Sequence, residues 1–309
     1  MDVILVRKAD HRCHFNALWY LPRMRHYLLL ILATSIWGFG FIAAKWSLEL
    51  YGPYWANTLR FLMATVLSIP FFVIYKTHKQ ELKYFGPPFI AGTLIYFGMH
   101  FQTLGLNFTS VAKSGFLTSF YVIFIPLIAI LFRKRSYSFV FWFYVLLALM
   151  GVALLCELKF SGFNIGDFYT LLCALAFAVH ILYIDKITQS YNSFELNGLQ
   201  FLTALLWGVP ASFLMEGGVD LMPLLLPEND LALYGILFLG FFSSVLAFSI
   251  QLIAQKKIPP HVAGFFFLLE SPFAAVFGFY FLQEHLGVLQ ISGCALILFA
   301  VLAVQRKVA

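Results

Sequence analysis

The sequence predicts an all-α integral membrane protein in which ten transmembrane helices form two inverted five-helix repeats. Three observations carry that prediction. Of the 309 residues, 61% are hydrophobic and 11% charged, against roughly 25% charged in an ordinary soluble domain. The apolar residues fall into ten runs of spanning length, with Lys and Arg gathered in alternate connections. Residues in the second half also repeat those of the first, at displacements of 140 and, further on, 149.

The runs lie near 27–47, 54–75, 86–107, 111–132, 137–156, 166–185, 195–215, 231–254, 260–282 and 286–304, close to the ~20 residues that cross a hydrocarbon core of about 30 Å. One such run could be a buried helix of a soluble protein, but ten in series leave no soluble domain to bury them. The first 26 residues are polar and basic, with no short apolar stretch ending in a cleavage site, so the first run reads as a retained signal anchor. The expected divisions are a basic cytoplasmic segment at 1–26, a first repeat at 27–156, a second at 157–304 and a cytoplasmic tail at 305–309.

Charge sets the orientation, because short cytoplasmic loops are enriched in Lys and Arg. With the N-terminus in the cytoplasm, that side receives Arg7, Lys8, Arg12, Arg23, Arg25, Lys76, Lys79, Lys83, Arg133, Lys134, Arg135, Lys186, Lys256, Lys257, Arg306 and Lys307. The opposite side receives Lys45, Lys113 and Lys159 among the acids Glu157, Glu216, Asp220, Glu228 and Glu284. An even number of spans keeps both ends cytoplasmic, and the expected location is a plasma membrane of the bacterial inner-membrane kind. The net charge of +6 is dispersed over short loops and forms no basic face, which argues against nucleic-acid binding.

Breaker residues agree with the segmentation. Pro259 and Pro260 precede the ninth run, where a missing N–H costs little, and Gly52, Pro53, Gly162, Gly217 and Gly218 mark turns. Pro70, Pro126, Pro210 and Pro272 fall inside apolar runs and permit kinks. Gly38, Gly40, Gly115 and Gly264 suit close helix approach. Cys13, Cys156, Cys173 and Cys294 match no metal-ligand or disulfide spacing and read as packing residues.

A displacement of 140 aligns Tyr51 with Tyr191, Asn57 with Asn197, Arg60 with Gln200 and Pro70 with Pro210; one of 149 aligns Gln102 with Gln251 and Gly115-Phe116 with Gly264-Phe265. Five helices per half is an odd number, so the second half inserts upside down relative to the first. That symmetry supplies two equivalent gates around one central site.

Trp37-Gly38-Phe39, the stretch Asn57 to Phe61, Thr109-Ser110-Val111-Ala112 leading into Gly115-Phe116-Leu117-Thr118-Ser119, and Leu269-Glu270-Ser271-Pro272 followed by Glu284 and the run Gly287 to Gly293 stand in an order that resembles the EamA-type transporters of the drug/metabolite transporter superfamily. The resemblance covers about residues 27–304. It implies five-plus-five inverted repeats, a solute cavity between helices one to four and six to nine, and peripheral fifth and tenth helices. Members move amino acids, drugs, nucleotides or other metabolites, commonly outward in bacteria. This chain departs from the pattern by placing Ser271 between Glu270 and Pro272, which puts the local kink geometry in question.

Glu270 lies near the middle of its run, where an ionised carboxylate is expensive unless it faces a polar cavity or a partner. It could bind a cationic group, exchange a proton, or hold a helix contact. Arg60 could neutralise a solute carboxylate, pair with an acid, or snorkel to the interface. Neutral stripes at helical spacing add Asn57 beside Arg60, Asn197 beside Gln200, Ser114 with Thr118 and Tyr121, and His180 with Tyr183; Gln102, Gln251, Ser243 and Ser244 extend the hydrogen-bonding capacity. Any of the hydroxyls could instead satisfy its own helix. Trp37, Tyr96 and Phe267 could line a cavity with aromatic surface, although neighbouring residues of Phe265-Phe266-Phe267 cannot all point one way.

There is no phosphate-binding Gly-Lys-Ser/Thr loop and no metalloprotease His-Glu pair, so no cofactor or metal and no enzymatic role are expected. The expected function is a secondary transporter that carries a small organic solute by alternating access, with export as the direction. The expected partners are that solute and membrane lipids, a homodimer being allowed. The rival readings are a non-transporting scaffold or sensor, which requires a filled centre, and a membrane-embedded lipid-modifying enzyme, which requires a catalytic cluster at one face.

Overall fold

Apolar side chains cover the outside of the helices as well as the inside. Phe132, Phe139, Leu214 and Val288 are among many large apolar residues left exposed, the arrangement expected where lipid rather than water is the surrounding solvent. The computed structural model describes residues 12–74, 82–109, 111–157, 162–226, 228, 230–283 and 285–308; Arg7, Lys8, Lys76, Lys79, Ser110, Lys159 and Glu284 lie outside the described residues.

The helices are α1 (Arg12–Leu48), α2 (Pro53–Ile74), α3 (Leu82–Leu106), α4 (Val111–Thr118), α5 (Tyr121–Arg133), α6 (Phe139–Leu155), α7 (Ile165–Ile187), α8 (Ser193–Glu216), α9 (Asp230–Leu237), a π-helical segment (Phe238–Ala247), α10 (Phe248–Gln255), α11 (Pro260–Phe267), α12 (Glu270–Leu282) and α13 (Val288–Val308). Joined across their breaks, α4 with α5, α9 through α10, and α11 with α12 leave ten rods among the described residues, and no strand. Eight rods hold a stretch long and apolar enough to span a membrane. The other two are α6, apolar throughout but 17 residues long, and α2, which carries Asn57 and Arg60.

Two sets of polar contacts define the ends of the bundle. At one end, Arg133 Nη1 donates to Asp185 Oδ2 at 2.6 Å and Nη2 to the Leu182 carbonyl, tying α5 to α7. Tyr191 Oη donates to the Tyr84 carbonyl (2.7 Å) and Lys256 Nζ to the Tyr191 carbonyl (2.9 Å). At the other end, Lys113 Nζ meets the buried Asp167 at 2.6 Å, and Asp167 also closes a capping box with Asn164 at the start of α7. Glu216, at the finish of α8, accepts from the backbone N–H groups of Tyr54 (2.9 Å) and Trp55 (3.0 Å). It thereby satisfies donors that the first turn of α2 cannot pair internally. Tyr51 Oη donates across the same end to the Asp220 carbonyl (2.9 Å).

In the body, α2 packs on α8, α3 on α7 and α8, α6 on α13, and α1 on both the α9–α10 rod and α12. Small residues set the closest crossings. A Cβ on Gly151 would stand 2.8 Å from the Gly293 carbonyl oxygen, and one on Gly38 would stand 2.7 Å from Phe273 Cβ. Gly264 has a similar neighbour in Ile125, whereas Gly115 has nothing within 4 Å and Gly40 nothing nearer than 3.7 Å. Close approach is therefore made at two of the four glycines expected to make it. Pro272 departs from expectation as well: it sits in the first turn of α12, where the break rather than the proline redirects the chain and its missing N–H leaves no vacancy.

Gly151→Leu should force α6 off α13 and lower the thermal-unfolding midpoint in detergent by several degrees, about 1–3 kcal/mol. An unchanged melting curve would show that the crossing yields without cost.

Candidate functional site

Two rods break at their middles, and both restart with a polar residue. The turn after α4 runs through Ser119-Phe120 and α5 begins at Tyr121; the turn after α11 runs through Leu268-Leu269 and α12 begins at Glu270. Bonds across the second turn are of the i to i−3 kind, from Leu268 N to Phe265 O, from Leu269 N to Phe266 O and from Ser271 N to Leu268 O, and Phe273 N returns to the Leu269 carbonyl. The positive end of that helix dipole favours a carboxylate at Glu270. Gly38 lets α1 approach this point, since its missing Cβ would otherwise stand 3.0 Å from the Glu270 carbonyl oxygen.

Glu270 and Tyr121 line one central cavity with Arg60, Trp37, Asn57, Gln102, Thr118, His180, Gln251 and Phe267. About 120 Å³ is open to water centres there, room for roughly ten waters. No hydrogen bond or ion pair engages the Glu270 carboxylate among the described residues. Arg60 is differently placed: Nε donates to Ser244 Oγ and Nη2 to Ser243 Oγ, both at 2.7 Å. The acid makes no contact with the base, which is held by hydroxyls; the two charges act on each other only at a distance across the cavity lining.

Those serines belong to the π-helical segment, whose wider turn loosens the regular ladder of carbonyl acceptors. Side chains supply donors in compensation. Trp37 Nε1 donates to the Ser243 carbonyl (3.2 Å), and Asn197 Nδ2 reaches the Ser244 and Val245 carbonyls and Ser249 Oγ, each at 3.0 Å. Gln200 Nε2 holds Asn197 Oδ1 at 2.6 Å. His180 Nε2 lies 3.2 Å from Gln200 Oε1, an acceptor that calls for the proton on Nε2.

Asn197, Gln200 and Ser244 therefore stand one layer behind the cavity wall. Tyr96 lies off the wall too, stacked on His100 with ring centres 5.1 Å apart; Ser114 faces Thr170 across 3.5 Å between α4 and α7; Tyr183 packs beside Ile184 and Tyr191 near the basic end. The wall also includes Phe177, Phe248 and Thr103, which sequence reasoning missed. Nothing distinguishes these phenylalanines from the many that face lipid, and Thr103 returns its own proton to the Met99 carbonyl as membrane threonines commonly do.

Toward the end where α1 and α3 finish, the cavity reaches Ser47, Leu48 and Leu106. Toward the basic end it is closed by aromatic rings, Trp37 meeting Phe248 edge-on at 5.0 Å and Phe267 at 5.5 Å, with Tyr27 stacked on Phe266 at 5.0 Å. Gln251 Nε2 donates to Gln255 Oε1 at 2.7 Å and Gln255 Nε2 to the Ile181 carbonyl at 3.2 Å. Gln251 Oε1 is buried without a partner. Gln255 in turn lines a second cavity at the basic end, so the glutamine pair runs from the lining of one cavity to that of the other, beside the aromatic closure.

A family model, the EamA-like transporter family, matches residues 24–156 and again 164–305. The chain belongs to that family. An uncharacterized transporter of Archaeoglobus fulgidus is 31% identical over 284 residues, covering 90% of this EamA-family chain and 85% of the relative. An S-adenosylmethionine uptake transporter of Rickettsia bellii is 25% identical over 122 residues, 39% of this chain and 41% of its own. A solved crystal structure at 16% identity covers 92% of this chain and 98% of its own with a TM-score of 0.74, which shows a shared fold. The protein is a multi-pass membrane transporter.

Asn197→Leu leaves the loosened carbonyls of Ser244 and Val245 short of donors and should destabilise the fold by about 1–3 kcal/mol. Asn57→Leu, which removes one bond to Thr103 Oγ1, should cost less in the same thermal melts. Equal losses would detach the π-helical segment from Asn197.

Proposed function

We propose that this EamA-family protein is a secondary transporter that moves a small organic solute bearing a positively charged group, outward across the membrane and by alternating access. The observation that carries this reading is Glu270, a carboxylate facing the central cavity without a hydrogen-bonding or ionic partner among the described residues. A carboxylate there with no contact partner, offset only at a distance by Arg60, is costly, and either a proton or a cationic solute lowers the cost. Exchange of one for the other would couple export to an inward proton gradient. Arg60, committed to Ser243 and Ser244, acts as a fixed part of the wall. Trp37, Tyr121 and Phe267 offer faces to a cation or an aromatic body. The partial relative named for uptake of S-adenosylmethionine, a sulfonium cation, supports the solute class and is the competing precedent for direction.

The alternating mechanism rests on inverted repeats at 27–156 and 157–304, supported by several independent features. The two breaks fall at corresponding places, Thr118 matching Phe267 and Tyr121 matching Glu270 at the displacement of 149. Exchanging the halves turns the contact of α1 with α9–α10 into that of α7 with α3. Tyr51 and Tyr191 each send a hydroxyl across to a carbonyl of the other half, at opposite ends of the bundle. The excess of Lys and Arg supports a cytoplasmic basic end. On that orientation the cavity extends outward, and the aromatic closure with Gln251 and Gln255 forms the inner gate. The open centre also weighs against a scaffold, which requires a filled one.

Counterflow in proteoliposomes with a panel of amines, sulfonium compounds and carboxylates tests the reading. Saturable exchange of the cations is expected, falling at least about tenfold in Glu270→Gln, which removes an interaction of the charge-assisted class, while Arg60→Met should lose stability together with rate. Absence of saturable exchange for the whole panel, with the protein folded, would overturn the transport mechanism. Exchange of carboxylates alone, indifferent to Glu270→Gln, would overturn the solute class.

The inner gate is testable by itself. In a cysteine-free variant carrying Thr118→Cys, an impermeant maleimide should label from the outer side only; adding Gln255→Leu should admit label from the basic side as well. Continued one-sided labelling would place the seal elsewhere.

A further inference from the structure

The second cavity lies at the basic end, between the α5–α6 connection and the turn from α10 into α11, with about 430 Å³ open to water centres. Its rim carries four fixed cations, Arg133, Arg135, Lys256 and Lys257, against one carboxylate, Asp185. Arg133 is paired with Asp185, which leaves a net of three positive charges, four minus one. Lys256 spends one proton on the Tyr191 carbonyl at 2.9 Å, and burial holds its ammonium below the ordinary lysine range. Neither the Arg135 guanidinium nor the Lys257 ammonium meets a hydrogen-bond or ionic partner among the described residues.

The backbone aims these charges at one place. Lys134 adopts the left-handed conformation, with φ of 50°, and its N–H returns to the Ala129 carbonyl; the Arg135 N–H reaches the same carbonyl at 3.2 Å. This turn folds Arg135 back over the end of α5. On the facing wall Pro259 and Pro260 fix the path between Lys257 and His261, and the His261 ring meets Tyr137 edge-on at 5.2 Å. Like charges held together this way repel, and the arrangement is relieved when an anion sits among them.

We propose that this cavity is a binding site for a phosphate-bearing anion, held by Arg135, Lys256 and Lys257. A phosphodiester or phosphomonoester fits better than a lone carboxylate, because it offers several charged oxygens to cations on different walls. Phe132 and Phe139, 79% and 86% exposed, flank the connection that carries Arg135. They place the rim at the boundary of lipid and water, within reach of an anionic phospholipid headgroup. A soluble phosphate ester presents the same chemistry from the aqueous side. The site shares neither Glu270 nor any other residue of the central cavity, so it stands whether or not the solute reading holds.

The test is thermal unfolding of the full chain in neutral detergent, titrated separately with phosphatidylglycerol, phosphatidylcholine and glycerol 3-phosphate. Phosphatidylglycerol is expected to raise the midpoint, and the Arg135→Gln/Lys257→Gln variant to need on the order of 30-fold more of it, two surface-facing cations being removed. Arg25→Gln/Arg306→Gln, which removes two cations outside the cavity, should titrate like the parent. If phosphatidylglycerol acts and glycerol 3-phosphate does not, the anion is a lipid headgroup; if glycerol 3-phosphate acts equally well, a soluble ester is the ligand, and either result supports the site. Equal responses from the two double variants, or no response to either phosphate compound, would overturn it.

Discussion

A backbone carbonyl in hydrocarbon has no water to turn to, and the centre of this protein is organised around meeting that demand where its own helix does not. The π-helical segment Phe238–Ala247 turns more slowly than the α-helices on either side. Trp37 from α1 and Asn197 from α8 reach in with N–H donors for its carbonyls, and Arg60 from α2 binds its serine hydroxyls. Three rods are thereby fixed to a fourth by directional bonds, in an environment where apolar contact alone scarcely distinguishes helix from lipid. The polar groups that shape the cavity are the same ones that hold its walls together.

Glu270 draws its position from that framework and from a gap in it. The break after Leu269 makes it the first residue of a half-helix, and Gly38 removes the Cβ that would push α1 away. The corresponding break before Tyr121 brings that residue to the same cavity. At both breaks the backbone ladder tightens from i−4 to i−3 bonds, an irregularity better placed against protein or a wet cavity than against lipid. The breaks therefore belong at the centre, as they are.

Much of this was legible beforehand because lipid imposes a simple code. A rod needs its length in apolar residues, so the ten rods followed from runs and from basic loops, and eleven of the expected polar and aromatic residues, Glu270 and Arg60 among them, stand on the cavity wall. The π-helical segment was not legible: over ten residues rich in Phe, Leu and Ser, a slower helical period cannot be told from the usual one. Asn197 and Gln200 were singled out as polar stripe and then placed one shell too far in, since spacing reveals a shared face but not which neighbour that face meets. Arg133 and Asp185 are 52 positions apart, and no local pattern announces such a pair. Phe248 and Phe177 were hidden in a chain with 37 phenylalanines.

The glutamine pair between the two cavities has an electrical consequence. Gln251 and Gln255 are four residues apart on one helix, about 6 Å along the axis. Where water fills both cavities, most of the membrane voltage would fall across the layer between them, which holds this pair and the aromatic closure, instead of across the whole hydrocarbon thickness. A charge passing it would do nearly its full electrical work in one short step, about 2.3 kcal/mol per 100 mV. The rate of that step, more than the affinity of the site above it, would then follow the membrane potential.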